Sequence, residues 1–384
     1  MAKKEAKAAV ERFEYGEKQE LLRQSAKKFL AEHFSTEKVR KLLEEEKAHS
    51  ESTWRQMADL GWHGILIPED FGGAELSIFE LGVLLEEMGW NVATGPYLHA
   101  QLAVLVLLEA ANTKQKKSLF PSIAEGKIIP TLALWEKDQG WDATAGGVKA
   151  KKAGKKGFVL SGTKLFVGDA QNADLLVVTA STPKGPSLFL VDARAKGVKI
   201  TPDKLVDETR RSARVDLKNV AVSADALLGA EGKAAGILAK VYPRIWSAIS
   251  AEMVGAARRV FRVSVDYAKV REQFGRPIGA FQGVKHRLVD RMVELENARS
   301  LVYGALWAQD HEPARAERVA RMAKAYLSDV GPRVGDTAVR THGGIGFTWE
   351  CDVHLFWKRL RWGQSQYGDA AYHRAFIGDE LAAG

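Results

Sequence analysis

Hydrophobic periodicity changes twice along this 384-residue chain, and the order of the changes restricts its fold more than any other feature. From residue 17 to about 125, apolar side chains recur at helical spacing, with residues 68–73 as a loop between helices. From Ile128, short β-rich runs separated by Gly, Pro and Lys turns replace this pattern. Helical spacing returns beyond Gly236 and continues to the C-terminus.

Five runs in the middle of the chain predict strands of a small antiparallel β domain that ends near Asp225: residues 131–134, 157–160, 174–179, 187–191 and 197–200. Much of the excess positive charge falls in Lys149–Gly157, which we predict to be an exposed turn. In the C-terminal part, Pro277 and Pro313 are predicted to separate helices, and Gly331-Pro332 to break one long helical segment.

The predicted fold class is α+β, with an N-terminal helical domain (1–125), a middle β domain (126–236) and a C-terminal helical domain (237–384). Because helices and strands are segregated and do not alternate, a doubly wound parallel sheet is not expected. A nicotinamide-binding Rossmann domain is disfavoured as well. The run Gly344-Ile-Gly346 lacks the third glycine of G-x-G-x-x-G and does not follow a predicted strand.

The net charge of +8 raises the question of a polyanionic ligand. Nucleic acid is not the expected partner, because no aromatic residues alternate with the lysines of 149–157 as base stacking would require. A small molecule with phosphates, such as a coenzyme, would use the same positive potential. The composition therefore favours a coenzyme-binding protein over a nucleic-acid-binding one.

The cysteine content and the apolar runs predict a cytoplasmic protein. Cys351 is the only cysteine, so neither a disulfide framework nor a cysteine-based metal site is expected, and no metal is predicted. No apolar run approaches the roughly 20 residues that span a bilayer, so no membrane span is expected. The N-terminal residues 1–7 are charged and lead into no apolar segment of the signal-peptide type.

Two short segments contain residue types that bind phosphates. Gly343, Gly344 and Gly346 would let backbone N–H groups approach a phosphate closely, although glycine pairs also serve as helix C-caps and tight turns. Arg271 offers a planar fork for a diphosphate. The alternative for Arg271 is a helix-terminal arginine that faces the helix dipole.

Near Arg271, Phe274 offers a ring and Gln282 an amide for the edge of an adenine. The alternative for Phe274 is a side chain in the hydrophobic core.

Taken together, Arg-x-Gln-Phe-Gly-x-Pro-Ile at 271–278 with Phe281-Gln282, and the run 341–350, resemble two signature segments of the acyl-CoA dehydrogenase family. Further resemblance covers nearly the whole chain, in residues 54–62, 65–73, 85–89, 132–136, 162–170 and 173–174.

The resemblance implies a helical domain, a β-barrel and a four-helix bundle, assembled as a tetramer with FAD at subunit interfaces. It also implies acyl-CoA thioesters as substrates and an electron-transferring flavoprotein as the oxidant. By position, Phe166 and Val167 would lie against the isoalloxazine of FAD. Other residues would reach the adenosine and diphosphate of FAD held by a neighbouring subunit: Arg271, Phe274, Gln282 and, through backbone N–H groups, Gly343 and Gly344.

The catalytic base of the family has no counterpart at either of its usual positions. Where most members carry a glutamate, this chain has Tyr367, and the second position falls at about Ile245. A phenol with a pKa near 10 is a poor base for an α-proton. Glu252, seven residues beyond Ile245, is a candidate base, with an arginine-paired carboxylate as the alternative. Asp369 is another, with pairing to His373 or Arg374 as the alternative.

Two further departures from the family pattern concern the flavin. Arg340 replaces a glutamine before the glycine pair, where it can add charge pairing to a phosphate, and Trp135 replaces a threonine.

The leading hypothesis is a FAD-dependent acyl-CoA dehydrogenase that works as one subunit of a heteromeric enzyme, because the flavin-type motifs are intact and the base is not. One alternative is a base-less homologue that catalyses a non-oxidative reaction on acyl-CoA. The other is a non-catalytic subunit that binds acyl-CoA or is structural.

Overall fold

The structure is a computed structural model that describes residues 16–144, 146–154 and 157–383. The N-terminal residues 1–7 and the lysines at 155 and 156 therefore lie outside the described residues. Within the described residues, no helix is long and apolar enough to cross a membrane.

The N-terminal part is helical, as predicted. Two of its helices begin at side-chain caps: Ser50 accepts a hydrogen bond from the Thr53 backbone N–H, and Asn112 forms a reciprocal capping box with Gln115. Residues 68–73 form the predicted loop, with a single 3₁₀ turn at Glu69–Phe71. The helices are α1 (Glu17–His33), α2 (Thr36–Leu43), α3 (Glu51–Asp59), α4 (Ile78–Trp90), α5 (Tyr97–Ala110) and α6 (Thr113–Ala124).

The middle part is one sheet, and each of the five predicted runs lies within one of its strands except for at most one residue at an end. They are β1 (Pro130–Ala133), β2 (Lys149–Lys152), β3 (Gly157–Gly168), β4 (Leu175–Thr182), β5 (Gly185–Asp192), β6 (Val198–Pro202), β7 (Ser212–Ser223) and β8 (Leu227–Leu228). The order across the sheet is β6-β7-β3-β2-β4-β5-β8, with β1 added alongside β4. Most pairs are antiparallel, but β1 and β2 both run parallel to β4.

Two predictions for this part need revision. The stretch expected as an exposed turn contains strand β2, because Ala150 points into the sheet core while Lys149, Lys151 and Lys152 remain exposed on either side of it. The strand path ends at β6 and β8, and no pairing between these two strands is recorded among the described residues, so the closed barrel is not confirmed.

The C-terminal part is helical except for one small hairpin. It contains α7 (Ala234–Val270), β9 (Glu272–Gln273), β10 (Arg276–Pro277), α8 (Gln282–His311), α9 (Pro313–His342), α10 (Val353–Ser365) and α11 (Ala370–Ala383). Helix α9 packs against α8, α10 and α11. The predicted break at Gly331-Pro332 is wrong, since α9 continues through both residues. Both are buried, and Leu360 of α10 lies directly against Gly331, so packing outweighs the helix-breaking tendency of proline.

Contacts divide the chain into two compact units. The first extends up to Arg40 and includes Ile78–Ala93 and the chain from Trp246 onward; the second comprises Lys41–Ser77 and Thr94–Ile245.

In the first unit, α4 and α7 cross backbone to backbone. A Cβ on Gly89 would collide with the carbonyl oxygen of Glu252, and a Cβ on Gly255 would collide with that of Glu86. Only glycine allows this approach on both helices. The crossing fixes the position of Glu252, one of the two candidate bases.

We expect Gly255→Ala to lower the free energy of unfolding by about 1–3 kcal/mol or more, since the added methyl forces α4 and α7 apart. Gly378→Ala in α11 is the matched control. An added Cβ meets nothing there, and replacing a helical glycine by alanine stabilises by roughly 0.5–1 kcal/mol. Thermal unfolding of the two variants measures the difference. Equal melting temperatures would contradict the proposed crossing.

Candidate functional site

The two signature segments lie next to each other although some sixty residues separate them. The ring of Tyr267, in the last turn of α7, stacks on His342 at the end of α9, with ring centroids 4.3 Å apart and an angle of 22° between the planes. Arg271 follows Tyr267 by one helical turn, and Gly343 follows His342 directly. The stacked pair therefore brings the arginine segment and the glycine segment to one place in the first unit.

The arginine segment forms a small exposed hairpin. The Ile278 backbone N–H donates to the Arg271 carbonyl oxygen at 2.8 Å. Between these two residues, β9 and β10 pair in antiparallel orientation. Phe274, at the tip, is 93% exposed and adopts a left-handed backbone conformation (φ 53°), so the core alternative for this residue is wrong. Arg271 and Gln282 are also exposed, and no ion pair to Arg271 is recorded in the described part of the chain.

The glycine segment is a 3₁₀ turn at Gly343–Phe347. Gly343 is the C-cap of α9, with φ 65° and its N–H donating to the Arg340 carbonyl oxygen, so the structural role considered for the glycine pair is present. A binding role is not excluded by it, because both Gly343 and Gly344 face open space. A cavity of about 540 Å³ adjoins this turn. Its lining is mostly apolar, aromatic and basic, with one carboxylate, and includes Asp336, Val339, Arg340, Phe347, Trp349, Trp357 and Lys358.

The segment expected to face a flavin ring lies on β3 in the second unit. The register between β3 and β7 shifts at Lys164/Val167, and Phe166 takes a left-handed conformation with φ 53°. The Phe166 side chain is 64% exposed, whereas Val167 is 1% exposed and belongs to the core of the sheet. Phe166 therefore can offer its ring to a ligand, and Val167 can offer only its backbone. Trp135 is buried and packs edge-on against Trp141.

Tyr367 and Ile245, which the sequence aligns with the two base positions of the family, are both unsuited to accept a proton from a thioester. Tyr367 is buried, and burial raises its pKa far above the ordinary value of a phenol. It is held in a left-handed conformation with φ 54°, and the Trp246 indole N–H donates to its carbonyl oxygen at 2.9 Å. Ile245 is fully buried and apolar.

The two candidate carboxylates are both engaged in other interactions. Glu252 is 2% exposed and forms an ion pair with Arg359 at 2.7 Å, so the alternative considered from the sequence, an arginine-paired carboxylate, is present. Asp369 is exposed, and its Oδ1 accepts the Tyr372 backbone N–H at 2.9 Å at the start of α11.

Three buried polar clusters were missed in the sequence. Lys164 pairs with Glu136 at 2.5 Å, and burial lowers the pKa of Lys164 to about 8 while Glu136 opposes the shift. His99 Nδ1 lies 2.7 Å from Asp169 Oδ2. Lys324, on α9, is completely buried. For Lys324 the sequence did offer a signal, a lysine at an apolar position of a helical repeat. The Lys164–Glu136 and His99–Asp169 pairs offered none, because their members are 28 and 70 residues apart in the sequence.

Comparison with known proteins agrees with this geometry. Three acyl-CoA dehydrogenase domain models match the chain: the N-terminal domain at residues 16–127, the middle domain at 131–220 and the C-terminal domain at 247–382. The acyl-CoA dehydrogenase FadE12 of Mycobacterium tuberculosis is 32% identical over 324 residues, which cover 79% of this chain and 81% of that protein. The chain belongs to the acyl-CoA dehydrogenase family.

Two solved structures of acyl-CoA dehydrogenase fold are similar over almost the whole chain. The Tcur3481-Tcur3483 steroid ACAD, solved as a variant, has a TM-score of 0.87 at 31% identity and covers 96% of this chain and 99% of that one. The ChsE4-ChsE5 complex from Mycobacterium tuberculosis has a TM-score of 0.89 at 26% identity and covers 97% and 99%. Acyl-CoA dehydrogenases are FAD-dependent oxidoreductases that act on CH–CH groups, and this chain has their three-domain fold of helices and sheet.

Proposed function

We propose that the chain is one subunit of a heteromeric, FAD-dependent acyl-CoA dehydrogenase that introduces a double bond between Cα and Cβ of an acyl-CoA thioester. The observation that carries the proposal is the contrast between two parts of the first unit. The hairpin and glycine segments are exposed and lie together, whereas the usual base position holds the buried Tyr367. The chain thus combines the surface for a flavin coenzyme with an incomplete set of catalytic groups.

The described residues fit FAD at the hairpin and glycine segments. Arg271 presents a guanidinium without an ion-pair partner recorded among the described residues, which suits a diphosphate. Gly343 and Gly344 leave space where side chains would block the approach of a phosphate to the backbone, and Arg340 adds positive charge. We assign Phe274 and Gln282 to the adenosine of the FAD that a neighbouring subunit holds, and Phe166 with the Val167 backbone to an isoalloxazine. When bound, FAD supplies the acceptor for the β-hydrogen of the substrate.

We infer that the missing carboxylate comes from a second subunit of the same fold. Two similar structures carry the names of two chains, Tcur3481-Tcur3483 and ChsE4-ChsE5, which supports an assembly of unlike subunits. A tetramer would then be a dimer of unlike pairs. The substrates are thioesters with dicarboxylic, steroid-derived or ring-containing acyl groups, and an electron-transferring flavoprotein reoxidises the flavin.

The proposal also includes the exact domain boundaries and the architecture of each domain. We assign the domain boundaries at residues 125 and 236, a middle domain that is barrel-like and a C-terminal four-helix bundle. The cytoplasmic location likewise stays a prediction.

Arg271→Ala is expected to lower the FAD content of the purified protein, because alanine cannot replace the charge-assisted fork at a diphosphate. The loss of one such contact typically weakens binding by about 1.5–3 kcal/mol, or roughly 10- to 150-fold. Arg262→Ala is the matched control, since Arg262 is an exposed arginine of α7 that pairs with Asp266 one turn away. The ratio of flavin absorbance to protein measures both variants. Wild-type flavin content in Arg271→Ala would show that the assignment of this segment is wrong.

An acyl-CoA is expected to bind the purified chain and to change its flavin absorbance spectrum even without turnover. In the family the backbone N–H at the base position contacts the thioester carbonyl, and replacing glutamate by Tyr367 leaves the backbone N–H in place. Titration with acyl-CoA thioesters of several chain lengths and ring systems tests this. A protein that takes up no FAD in any form, or a spectrum that no thioester perturbs, would count against the proposed function.

A further inference from the structure

The turn that joins α10 to α11 has an unusual backbone. Tyr367 has φ 54° and Gly368 has φ 103°, so two successive residues lie in the left-handed half of conformational space. For Gly368 this region is accessible, but for a residue with a side chain it costs on the order of 1–3 kcal/mol. Such a conformation persists only where surrounding contacts enforce it.

Lys324 makes the contacts that enclose this turn. Its ammonium group is completely buried in the middle of α9 and donates to the carbonyl oxygens of Gln364 at 3.2 Å and Gly368 at 2.8 Å, and to the Ser328 hydroxyl at 3.0 Å. Three N–H groups thus meet three acceptors, two of which are the first and last residues of the segment 364–368. The lysine connects the two ends of the turn through a single charged group.

A second contact, from α7, holds Tyr367 within the turn. The Trp246 indole N–H donates to the Tyr367 carbonyl oxygen, and the Trp246 ring lies edge-on against His373 at 5.0 Å. Burial, together with the positive charges of Lys324 and Arg321, lowers the pKa of His373 to about 3, so this ring is neutral. The neutral ring adds no second positive charge beside the buried ammonium.

We propose that Lys324 is a positioning residue that holds the turn 364–368 in the conformation in which the Tyr367 backbone N–H donates to the thioester carbonyl oxygen of an acyl-CoA. This inference rests on the proposed function, because it assigns a role to a contact of that reaction. Lys324 does not contact the reacting atoms; it acts through the backbone of Gln364 and Gly368. It therefore differs from the candidate bases, which would have to touch the substrate.

Burial is the larger influence on the protonation of Lys324 and lowers its pKa to about 7, while the negative charge of Asp369 opposes the shift. The charged groups near it are Asp369 before α11 and Arg321 one turn earlier on α9, and His373 on α11 is neutral. Below pH 7 the ammonium has a donor for each of its three acceptors. Above pH 7 the neutral amine has only two N–H donors, so one of the three acceptors loses its hydrogen bond and faces the nitrogen lone pair. Acyl-CoA binding should weaken as the pH rises through this range.

The test is titration of FAD-loaded protein with an acyl-CoA thioester, followed by flavin absorbance between pH 6 and 9. Lys324→Met should retain FAD and weaken thioester binding at pH 6 by about tenfold or more, the factor typical of one lost or misplaced hydrogen bond to a charged group. Ser328→Ala is the matched control. It removes the hydroxyl acceptor and the long 3.5 Å hydrogen bond from that hydroxyl to the Gln364 carbonyl oxygen. Both carbonyl contacts of Lys324 remain, so the affinity should stay within about twofold of wild type.

Lys324→Gln keeps two donors and carries no titrating proton, so it should restore part of the affinity and show a weaker pH dependence than wild type. It also tests the proposal if the methionine variant does not fold. Equal affinities and equal pH profiles in wild type and the folded Lys324 variants would overturn the positioning role while the proposed function stands. Absence of any spectral change in the wild-type protein would overturn the proposed function, and this inference with it.

Discussion

The purified chain on its own is expected to oxidise acyl-CoA thioesters at no more than about 10⁻² to 10⁻⁴ of the rate of a complete enzyme, because the loss of a positioned general base forfeits that factor. Tyr367 is buried with a strongly raised pKa, and Ile245 has no titratable group. Co-expression with a related subunit that carries the glutamate should restore turnover. Reduction of an artificial electron acceptor measures the rate in both preparations.

The matched control for this experiment replaces the glutamate of the second subunit by glutamine, which should return the complex to the rate of the isolated chain. Robust turnover by the pure homo-oligomer would refute the heteromeric proposal. In that event Asp369→Asn and Glu252→Gln would identify the base. Asp369 is exposed and Glu252 is paired with an arginine, so the two variants test two different environments.

The second large effect concerns stability. Glu252→Ala is expected to lower the free energy of unfolding by about 3–5 kcal/mol, because it leaves the buried guanidinium of Arg359 without its counter-charge. Arg359 also donates to the Ala93 carbonyl oxygen at 3.2 Å, which holds it in place after the substitution. Chemical denaturation followed by tryptophan fluorescence measures the change.

The double variant Glu252→Leu with Arg359→Met is the control, because it removes both charges and leaves apolar side chains in the same space. It should recover much of the lost stability, as apolar replacement of a buried ion pair often does. A single variant as stable as wild type would show that the pair is not buried in solution. If Glu252→Ala is as stable as wild type but abolishes turnover in the complete enzyme, a catalytic role for Glu252 is favoured instead.

The glycine and arginine segments show how far short contiguous stretches predict a site. The sequence pointed to Gly343, Gly344 and Arg271 as ligand groups, and the structure places all three on an exposed surface beside the Tyr267–His342 stack. Their backbone conformations depend on neighbours within a few residues, such as the hydrogen bond from the Gly343 N–H to the Arg340 carbonyl oxygen at the end of α9. Whether they bind FAD stays a prediction for the Arg271 experiment.

The same sequence was a poor guide wherever burial decided the outcome. Phe274 is a large apolar residue, and composition alone leaves a core position open, yet it stands at an exposed hairpin tip. Pro332 disrupts an isolated helix, yet α9 continues through it because its neighbours are packed on α10. Ala150, a single small residue among lysines, was enough to place β2 in the sheet.

By itself, the sequence determined the family, the order of helical and β segments and the absence of a glutamate at position 367. These properties follow from residue identity and local periodicity, which the chain carries whatever its tertiary contacts. Only the tertiary structure decided that Glu252 pairs with Arg359 and that Lys324 encloses the turn at Tyr367, because these partners are 107 and at most 44 residues apart. A charged group's partner depends on which distant helices meet, and the cost of burial then determines how that group titrates.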